Sequence, residues 1–313
     1  MSMILYIIKR TLSLMVSFLL VSVIIFSLMH SIPGGPFDES KMPLPEATKQ
    51  KIMAQLGLDK PLHEQYFLYM KGVLTFDFGV PYQSPGETIT EVLARAWPPS
   101  LVLGGLGMIF GTIAGILLGI LAALRKNTPV DYAVSVGSTL GITVPIYVIS
   151  LLLMMVFAVW LRWVPTQGWG GSPVNSILPI ICYAVAPIAI FSRYTRSSIL
   201  EILGKPFVTV LRAKGLSTTM ILFKHVLRNA AMPLVTIFFP SFIGIATGSI
   251  FVEQMFQIPG LGQYFVTSLT ARDYPMEMSL ILILTLLIGM TYILTDILYT
   301  ILNPVIRLKK KND

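Results

Sequence analysis

Few residues in this sequence have the types and spacing that covalent chemistry requires. His30, His63 and His225 are far apart and form none of the short spacings that hold a metal ion. The chain contains no Gly-x4-Gly-Lys-Ser/Thr phosphate loop and no Gly-x-Ser-x-Gly or His-Glu-x2-His motif of a hydrolase. We therefore expect a protein that is not an enzyme and that binds neither a metal nor another cofactor itself.

A polar segment over residues 193–232 carries the most information about binding. Pro206 suits the first turn of a helix, and Gly215 suits the position just after its end. Ser217 can cap a second helix that Pro233 ends. The cations around this glycine elbow are Arg212, Lys214, Lys224 and Arg228. An exposed small residue ringed by charge indicates a surface that another protein contacts; the alternative is a basic amphipathic segment lying on lipid headgroups.

Five further residues need an explanation. Asp296 is the one acid within an apolar block, where a charge costs roughly 3 kcal/mol at mid-bilayer; we expect a structural partner rather than proton coupling. Glu253 is either a docking or gating contact or the end of an interfacial helix. The neighbours Arg272 and Asp273 are expected to form a structural pair. Cys182 is the one cysteine, so a buried apolar role is expected.

Apolar blocks must position these residues. Apolar residues make up 54% of the chain and charged residues 12%, whereas soluble domains contain about 25% charged residues. A helix needs roughly 20 apolar residues to cross the hydrocarbon core. The blocks cover residues 11–31, 100–124, 133–160, 176–192, 233–252 and 279–301. The sequence therefore predicts an all-α, polytopic membrane protein with about six transmembrane helices.

Prolines and glycines modify these blocks. The fourth block is short and contains Pro179 and Pro187, which membrane helices tolerate when neighbours satisfy the freed backbone groups. Pro145 and Pro240 are expected to kink the third and fifth blocks. Glycines at four-residue intervals in the second block share one helix face, where another helix can approach closely. These glycines are Gly107, Gly111, Gly115 and Gly119.

The distribution of Lys and Arg predicts the orientation. Both termini are placed in the cytoplasm by the positive-inside rule. The inside segments then hold Lys9, Arg10, Arg125, Lys126, the run from Arg193 to Arg228, and Arg307 with Lys309 to Lys311. The net charge of +8 is explained by this rule and by anionic lipids, so no nucleic acid partner is expected. The first block is long enough to favour a retained helix over a cleaved signal peptide.

Three parts of the chain differ in character. Residues 1–92 are expected to hold a transmembrane helix and a long outer loop, residues 93–302 a five-helix core, and residues 303–313 a basic cytoplasmic tail. Pro98 and Pro99 are expected to separate the outer loop from the second block. The short helices predicted in the outer loop cover residues 46–56, 61–78 and 87–96, the second lying at the membrane surface.

Several runs of residues resemble one family. Arg212-Ala213-Lys214-Gly215-Leu216 and the run from His225 through Arg228 and Asn229 to Pro233 resemble the cytoplasmic loop of binding-protein-dependent ABC importer permeases. The most similar members are the dipeptide, oligopeptide and nickel permeases with a long first outer loop, of the oligopeptide permease B type. Other matching runs are Ile8 to Arg10, Glu253 to Gly262, Arg272 to Pro275, Asp296 to Tyr299, and Asn303-Pro304.

Two departures from the family pattern limit what the resemblance carries over. The general loop pattern is Glu-Ala-Ala, three residues, then Gly, whereas this chain has Thr209, Val210 and Leu211 and keeps only Gly215. Asn303 stands where the family often has Asp. The fold and the partnership do not depend on these side chains, although the identity of the partner contacts does.

The resemblance implies a type I ABC importer permease fold and two groups of site residues. A coupling loop over about 193–232 would dock on an ATPase, and the implied contact residues are Arg212, Ala213, Lys214, Gly215, Leu216, Arg228, Asn229 and Pro233. An extracytoplasmic group would serve a gate or a binding protein. Its members are Glu253, Pro259, Gly260, Gly262, Arg272, Asp273, Tyr274 and Pro275.

The implied function is transport of di- or oligopeptides across a bacterial or archaeal cytoplasmic membrane. The implied partners are a second homologous permease, two cytoplasmic subunits that bind ATP and Mg, and an extracytoplasmic substrate-binding protein. A family member for nickel or another small solute is the nearest alternative. A stand-alone secondary transporter or channel would show several intramembrane charges and inverted repeats, and a membrane-embedded enzyme would need a catalytic constellation.

Overall fold

The computed structural model describes residues 3–31, 50, 53–54, 57–84, 86–246 and 248–302. Within these ranges the regular structure is helical and contains no strand. The helices are α1 (Met3–Ser31), α2 (Leu62–Leu74), α3 (Ile89–Leu124), α4 (Pro129–Thr143), α5 (Ile146–Leu153), α6 (Val174–Leu203), α7 (Pro206–Ala213), α8 (Thr218–Met220), α9 (Leu227–Ala246), α10 (Ile250–Phe256), α11 (Leu261–Ala271) and α12 (Tyr274–Leu302). Two π-helical segments, Met154–Trp160 and Ile221–Val226, continue α5 and α8.

The described helices include four that are long and apolar enough to cross a membrane. These are Ile7–Ser31, Ile89–Leu124, Val174–Leu203 and Tyr274–Ile297. Two bent pairs raise the number to six if each pair crosses once, namely Pro129–Thr143 with Ile146–Trp160 and Thr218–Ala231 with Pro233–Phe242. The predicted all-α, polytopic class with about six spans is confirmed. The cytoplasmic location of the two termini stays a prediction.

The expected break at Pro98 and Pro99 is absent, because both prolines lie inside the long helix α3. A proline within a helix removes one backbone hydrogen bond but does not end a helix whose neighbours compensate. The helix begins at Ile89 because Thr88 and Glu91 form a capping box. The Thr88 N–H donates to the Glu91 carboxylate at 2.8 Å, and the Glu91 N–H donates to the Thr88 hydroxyl at 3.3 Å.

Pro145 interrupts the third span, as predicted. Helix α4 ends at Thr143, α5 begins at Ile146, and the two directions differ by 112°. Val144 is extended (φ −75°, ψ 128°) because the ring of a following proline disfavours the helical conformation. The third span is therefore a sharply broken pair of helices rather than one gently kinked helix.

Helix α6 is longer than the predicted fourth block. It runs from Val174 to Leu203 through both of its prolines, so the following loop begins at Gly204 and not at Arg193. The apolar run ends near Arg193, but the helix continues because Thr195, Ile199 and Ile202 keep one face buried. Hydropathy alone ignores this one-sided burial, so it did not predict the length of the helix; the bounds of about 193–232 for the coupling loop stay a prediction.

The remaining boundaries also differ from the sequence prediction. Pro233 lies inside α9 and bends it, with 50° between residues 218–231 and 233–242. Helix α9 ends at Ala246, so the predicted fifth block is divided and Glu253 belongs to α10. Helix α12 begins at Tyr274 rather than at residue 279. Helix α2 ends at Leu74, before the predicted limit of 78, and the predicted helix 46–56 lies mostly outside the described residues.

The chain divides into two compact units. The first unit combines residues 1–98 with 259–290, and its core includes Met70, Phe78, Ile89, Ala96, Leu261, Met276 and Leu282. The second unit combines residues 99–258 with 291–313, and its largest cores gather around Tyr183 and around Val226. The division at 92 and 302 by sequence character stays a prediction, and the tail 303–313 lies outside the described residues.

Candidate functional site

Residues 205–233 form a helical hairpin, called the hairpin below. Lys205 is extended and Pro206 follows at the first helical position, where its fixed φ and missing N–H fit. Helix α7 ends at Ala213, and Gly215 reverses the chain with φ +78°, a conformation that favours glycine. The Ser217 hydroxyl then accepts a hydrogen bond from the Met220 N–H at 3.3 Å and caps α8.

The inner face of the hairpin is anchored by apolar packing within the second unit. The cluster contains Ala123, Ile199, Ile202, Val208, Ile221, Leu222, Val226 and Ala230. Val208 is 1% exposed and Val226 is fully buried. Burial of each large aliphatic side chain contributes about 1.5–3 kcal/mol. The hairpin is therefore fixed to the ends of α3 and α6, and a displacement of the hairpin would displace them too.

The outer face of the hairpin combines cations with large apolar side chains. Phe223 is 63% exposed and Val210 is 54% exposed, and the exposed cations Arg212, Lys214 and Arg228 share this part of the chain. A Cβ added to Gly215 would meet no atom within 4 Å. Exposed apolar groups rimmed by charge are typical of a protein interface, and the open glycine leaves room for a partner to approach.

The structure places the predicted hairpin residues in distinct environments. Ala213 is exposed, whereas Leu216 is partly buried against the inner cluster. Asn229 is exposed on α9, and its amide donates to the His225 carbonyl at 2.8 Å. Pro233 is exposed further along α9. Within this group of predicted contact residues, Leu216 therefore differs from the others, which are all exposed.

An ion pair between α4 and α6 was missed by the sequence reasoning. The Arg196 guanidinium donates through two nitrogens to Asp131, one of these bonds measuring 2.8 Å from Nη2 to Oδ2. The Asn127 N–H also donates to Asp131, at 2.9 Å. Asp131 is 3% exposed and Arg196 is 30% exposed. The pair joins the start of α4 to α6, and no signal in the sequence links two residues so far apart.

The glycines of α3 lie against α6. A Cβ on Gly107 would lie 2.5 Å from the Tyr183 Cβ, and one on Gly111 would lie 2.7 Å from the Ala184 carbonyl oxygen. The corresponding closest distances at Gly115 and Gly119 are 2.8 Å and 2.6 Å, to the Ile188 and Ser192 carbonyl oxygens. All are shorter than a normal contact, so each position admits only glycine without displacement of α6.

Glu253 occupies a buried site in the second unit. Its side chain is fully buried on α10, and its Oε1 accepts a hydrogen bond from the Tyr183 hydroxyl at 2.7 Å. The Tyr183 oxygen in turn accepts from the Ser249 N–H at 2.7 Å. The carboxylate therefore bonds to α6, and both interpretations of Glu253, a docking or gating contact and the end of an interfacial helix, stay predictions.

The predicted turn over 259–262 is shorter than expected. Pro259 and Gly260 precede α11, and Gly260 is its N-cap. Gly262 is buried within the first turn of α11 rather than in the turn. Arg272 ends α11 with φ +57°, so it forms the link to α12. This part of the first unit is a helix between two tight connections.

Asp273 fixes the start of α12 to the outer loop within the first unit. Its carboxylate accepts from the Gln83 N–H at 3.0 Å and from the Met276 N–H at 3.3 Å. Burial raises the pKa of Asp273, and the backbone N–H groups oppose that rise. Tyr274 is buried at the start of α12, and the Pro275 carbonyl accepts from the Tyr69 hydroxyl at 3.4 Å. The expected pairing of Arg272 with Asp273 stays a prediction.

The remaining predicted positions add no cluster of polar groups. Asp296 is partly buried in α12, and its role stays a prediction. Asn303, Pro304 and the basic tail lie outside the described residues. Among the residues described, His, Cys, Asp and Glu form no group of three or more that could hold a metal ion.

These features define a polytopic helical membrane protein whose fold is that of an ABC importer permease. The structure matches the inward-facing MetNI methionine ABC transporter with a TM-score of 0.55 at 18% identity, covering 68% of this chain and 96% of that chain. The chain belongs to the family of binding-protein-dependent transport system inner membrane components, whose model matches residues 115–308. The N-terminal model of the same transport systems matches residues 3–90.

Individual relatives are similar over nearly their whole length. The dipeptide transport system permease protein DppB of Bacillus subtilis is 39% identical over 306 residues, which is 98% of this chain and 99% of that protein. The oligopeptide transport system permease protein OppB of Haemophilus influenzae is 38% identical, covering 96% and 99%. OppB of Salmonella typhimurium is 36% identical, also covering 96% and 99%.

Proposed function

We propose that this chain is the permease subunit of an ATP-driven importer and forms half of a translocation pathway for di- or oligopeptides. The hairpin is the observation that carries this proposal. It presents an open glycine, exposed apolar side chains and cations on one face, while its other face is packed on two spanning helices. The names of the relatives, which describe dipeptide and oligopeptide transport, support peptides as the substrate.

The proposed assembly contains a second homologous permease, two cytoplasmic ATP-binding subunits and an extracytoplasmic binding protein. ATP and Mg would be bound by the ATP-binding subunits, one of which would receive the outer face of the hairpin around Gly215. Closure of the ATPase pair would move the hairpin with the ends of α3 and α6, and this rigid-body change would switch the accessibility of the pathway. The hairpin residues Arg212 and Lys214 would contact the ATPase surface.

The proposed location is the cytoplasmic membrane of a bacterium or archaeon. The basic segments favour an orientation with both termini and the hairpin in the cytoplasm. The segment that carries Glu253, Gly260 and Asp273 would then belong to the opposite side, near the gate or the binding protein. A nickel-type or other small-solute importer would share this organisation, and a peptide uptake measurement separates the two.

The hairpin is tested by co-purification of this chain with its ATP-binding subunits from mild detergent. We expect Gly215→Trp to insert normally in the membrane but to lose the ATPase, because the indole would fill the open elbow. The matched control is Gly170→Trp, since Gly170 also has positive φ (+76°) and no atom within 4 Å of an added Cβ. Retention of the ATPase by Gly215→Trp would show that the docking surface lies elsewhere.

A further inference from the structure

At the break between α9 and α10, Tyr183 and Glu253 form a buried hydrogen bond that the proposed transport function does not explain. Helix α9 ends at Ala246 and α10 begins at Ile250, within a stretch that hydropathy alone reads as one continuous span. Any helix break exposes backbone groups that the helix itself no longer satisfies, which is costly away from water. The break therefore needs specific partners from neighbouring helices.

Tyr183 on α6 supplies such a partner. Its hydroxyl accepts from the Ser249 N–H at 2.7 Å and donates to Glu253 Oε1 at 2.7 Å. The Ser249 N–H also points to Glu253 Oε1, at 3.3 Å. One hydroxyl thus satisfies a freed backbone donor and a buried carboxylate at the same time, and both belong to the start of α10.

Gly248 completes the same site. Its φ is +93°, and an added Cβ would lie 2.8 Å from Glu253 Oε1 and 3.2 Å from the Ser100 Oγ. The backbone therefore packs directly on the carboxylate. A Cβ added to Gly107 would lie 2.5 Å from the Tyr183 Cβ. Helices α3 and α6 are therefore closely packed at the tyrosine. The fixed element is thus α6 on α3, and the element held by the hydrogen bonds is α10.

We propose that Tyr183 is a positioning residue for transport, which holds α10 in its resting position through Glu253 and the Ser249 N–H. This inference rests on the proposed function. Composition and spacing did not indicate that Tyr183 positions α10. Loss of the hydroxyl leaves the carboxylate and the N–H without this partner, so α10 separates from α6 more often. Transport then becomes less tightly linked to ATP hydrolysis.

Cys182 provides a reporter for this separation. It is the one cysteine of the chain, it is fully buried beside Tyr183, and it packs in the same cluster as Val252 and Phe256 of α10. Alkylation of its thiol by N-ethylmaleimide in isolated membranes therefore measures how often this cluster opens, and the difference between Tyr183→Phe and the unmodified chain measures the part that depends on the bonds from Tyr183 to α10. This readout uses the full chain in its membrane and does not depend on the substrate.

The experiment compares Tyr183→Phe, Glu253→Leu, their double variant and the conservative Glu253→Gln. We expect the first two to raise the alkylation rate about tenfold each, and the double variant to raise it by much less than the product of the two effects, since both single variants lose the Tyr183–Glu253 bond. Glu253→Gln keeps a carbonyl that accepts from Tyr183 and should restore a rate near that of the unmodified chain. Tyr194→Phe, at an exposed position on the same helix, is the matched control.

Complete transporter complexes supply the second readout, the amount of peptide taken up per ATP hydrolysed. We expect Tyr183→Phe to lower this ratio and Glu253→Gln to keep it. An unchanged alkylation rate in Tyr183→Phe, or additive effects in the double variant, would overturn the inference. Absence of peptide uptake by the unmodified complex would instead reject the proposed substrate, while the alkylation series would still decide whether Tyr183 positions α10.

Discussion

Single buried polar groups determine how the helices of each unit are fixed. In the second unit, Asp131 joins the α3–α4 connection to α6 through Asn127 and Arg196. In the first unit, Asp273 joins the start of α12 to the outer loop through Gln83. Each carboxylate meets several donors at once, which offsets part of the cost of burying a charge. Both therefore act as fixed points between segments that are distant in sequence.

The Asp131–Arg196 pair predicts a non-additive effect on stability. Arg196→Gln should destabilise the chain by about 3 kcal/mol, because it leaves the nearly buried Asp131 carboxylate without its cation. Adding Asp131→Asn should recover part of this loss, since no unpaired charge then remains. The measurement is thermal unfolding in detergent of both single variants and the double variant. A loss in the double variant equal to the sum of the two single losses would mean that the pair contributes no specific interaction.

Asp273 predicts a pH-dependent contribution to stability. Because its pKa in the folded chain is raised by burial, the folded state binds this proton more tightly than the unfolded state. Its contribution is therefore largest below the ordinary pKa of Asp and is lost as pH rises through the raised value. The melting temperature of the unmodified chain minus that of Asp273→Asn should therefore fall from acidic to neutral pH, because Asn does not titrate. A rise of this signed difference with pH would contradict the prediction.

The helices show which features sequence patterns predict and which they miss. The break at Pro145 and the glycine face of α3 follow from local chemistry, namely a ring that excludes the helical conformation before it and the absence of a Cβ. The extension of α6 past Arg193 and the passage of α9 through Pro233 depend on burial against other helices. Such tertiary contacts override hydropathy and proline rules, so the sequence did not reveal these boundaries.

The close contact between α3 and α6 predicts a graded effect of glycine substitution. Gly115→Ala should destabilise the chain by about 1–3 kcal/mol, since the added methyl would lie 2.8 Å from the Ile188 carbonyl oxygen. Gly105→Ala on the same helix is the control, because nothing lies within 4 Å of its added Cβ. The melting temperature in detergent should fall only for Gly115→Ala. A fall of equal size in both variants would show that the contact with α6 is not the cause, since alanine has a higher helix propensity than glycine.

At the scale of the whole molecule, each of the two compact units combines two separate stretches of the sequence, which composition did not indicate. Residues 259–290 belong to the same unit as residues 1–98, although residues 99–258 lie between them in the sequence. Class, number of spans and family could be read from apolar block length and a few motifs. The pairing of distant segments could not, because hydropathy records where a helix is apolar and not which helix it contacts.

The account requires that this chain moves peptide only as part of a complete ATP-driven assembly. The most direct measurement is uptake of a labelled peptide by liposomes that contain this chain, its partner permease, the ATP-binding subunits and the binding protein. We expect uptake with ATP and none when the ATP-binding subunits are omitted or when Gly215→Trp replaces the unmodified chain. Uptake by liposomes that contain this chain without any ATPase would contradict the account.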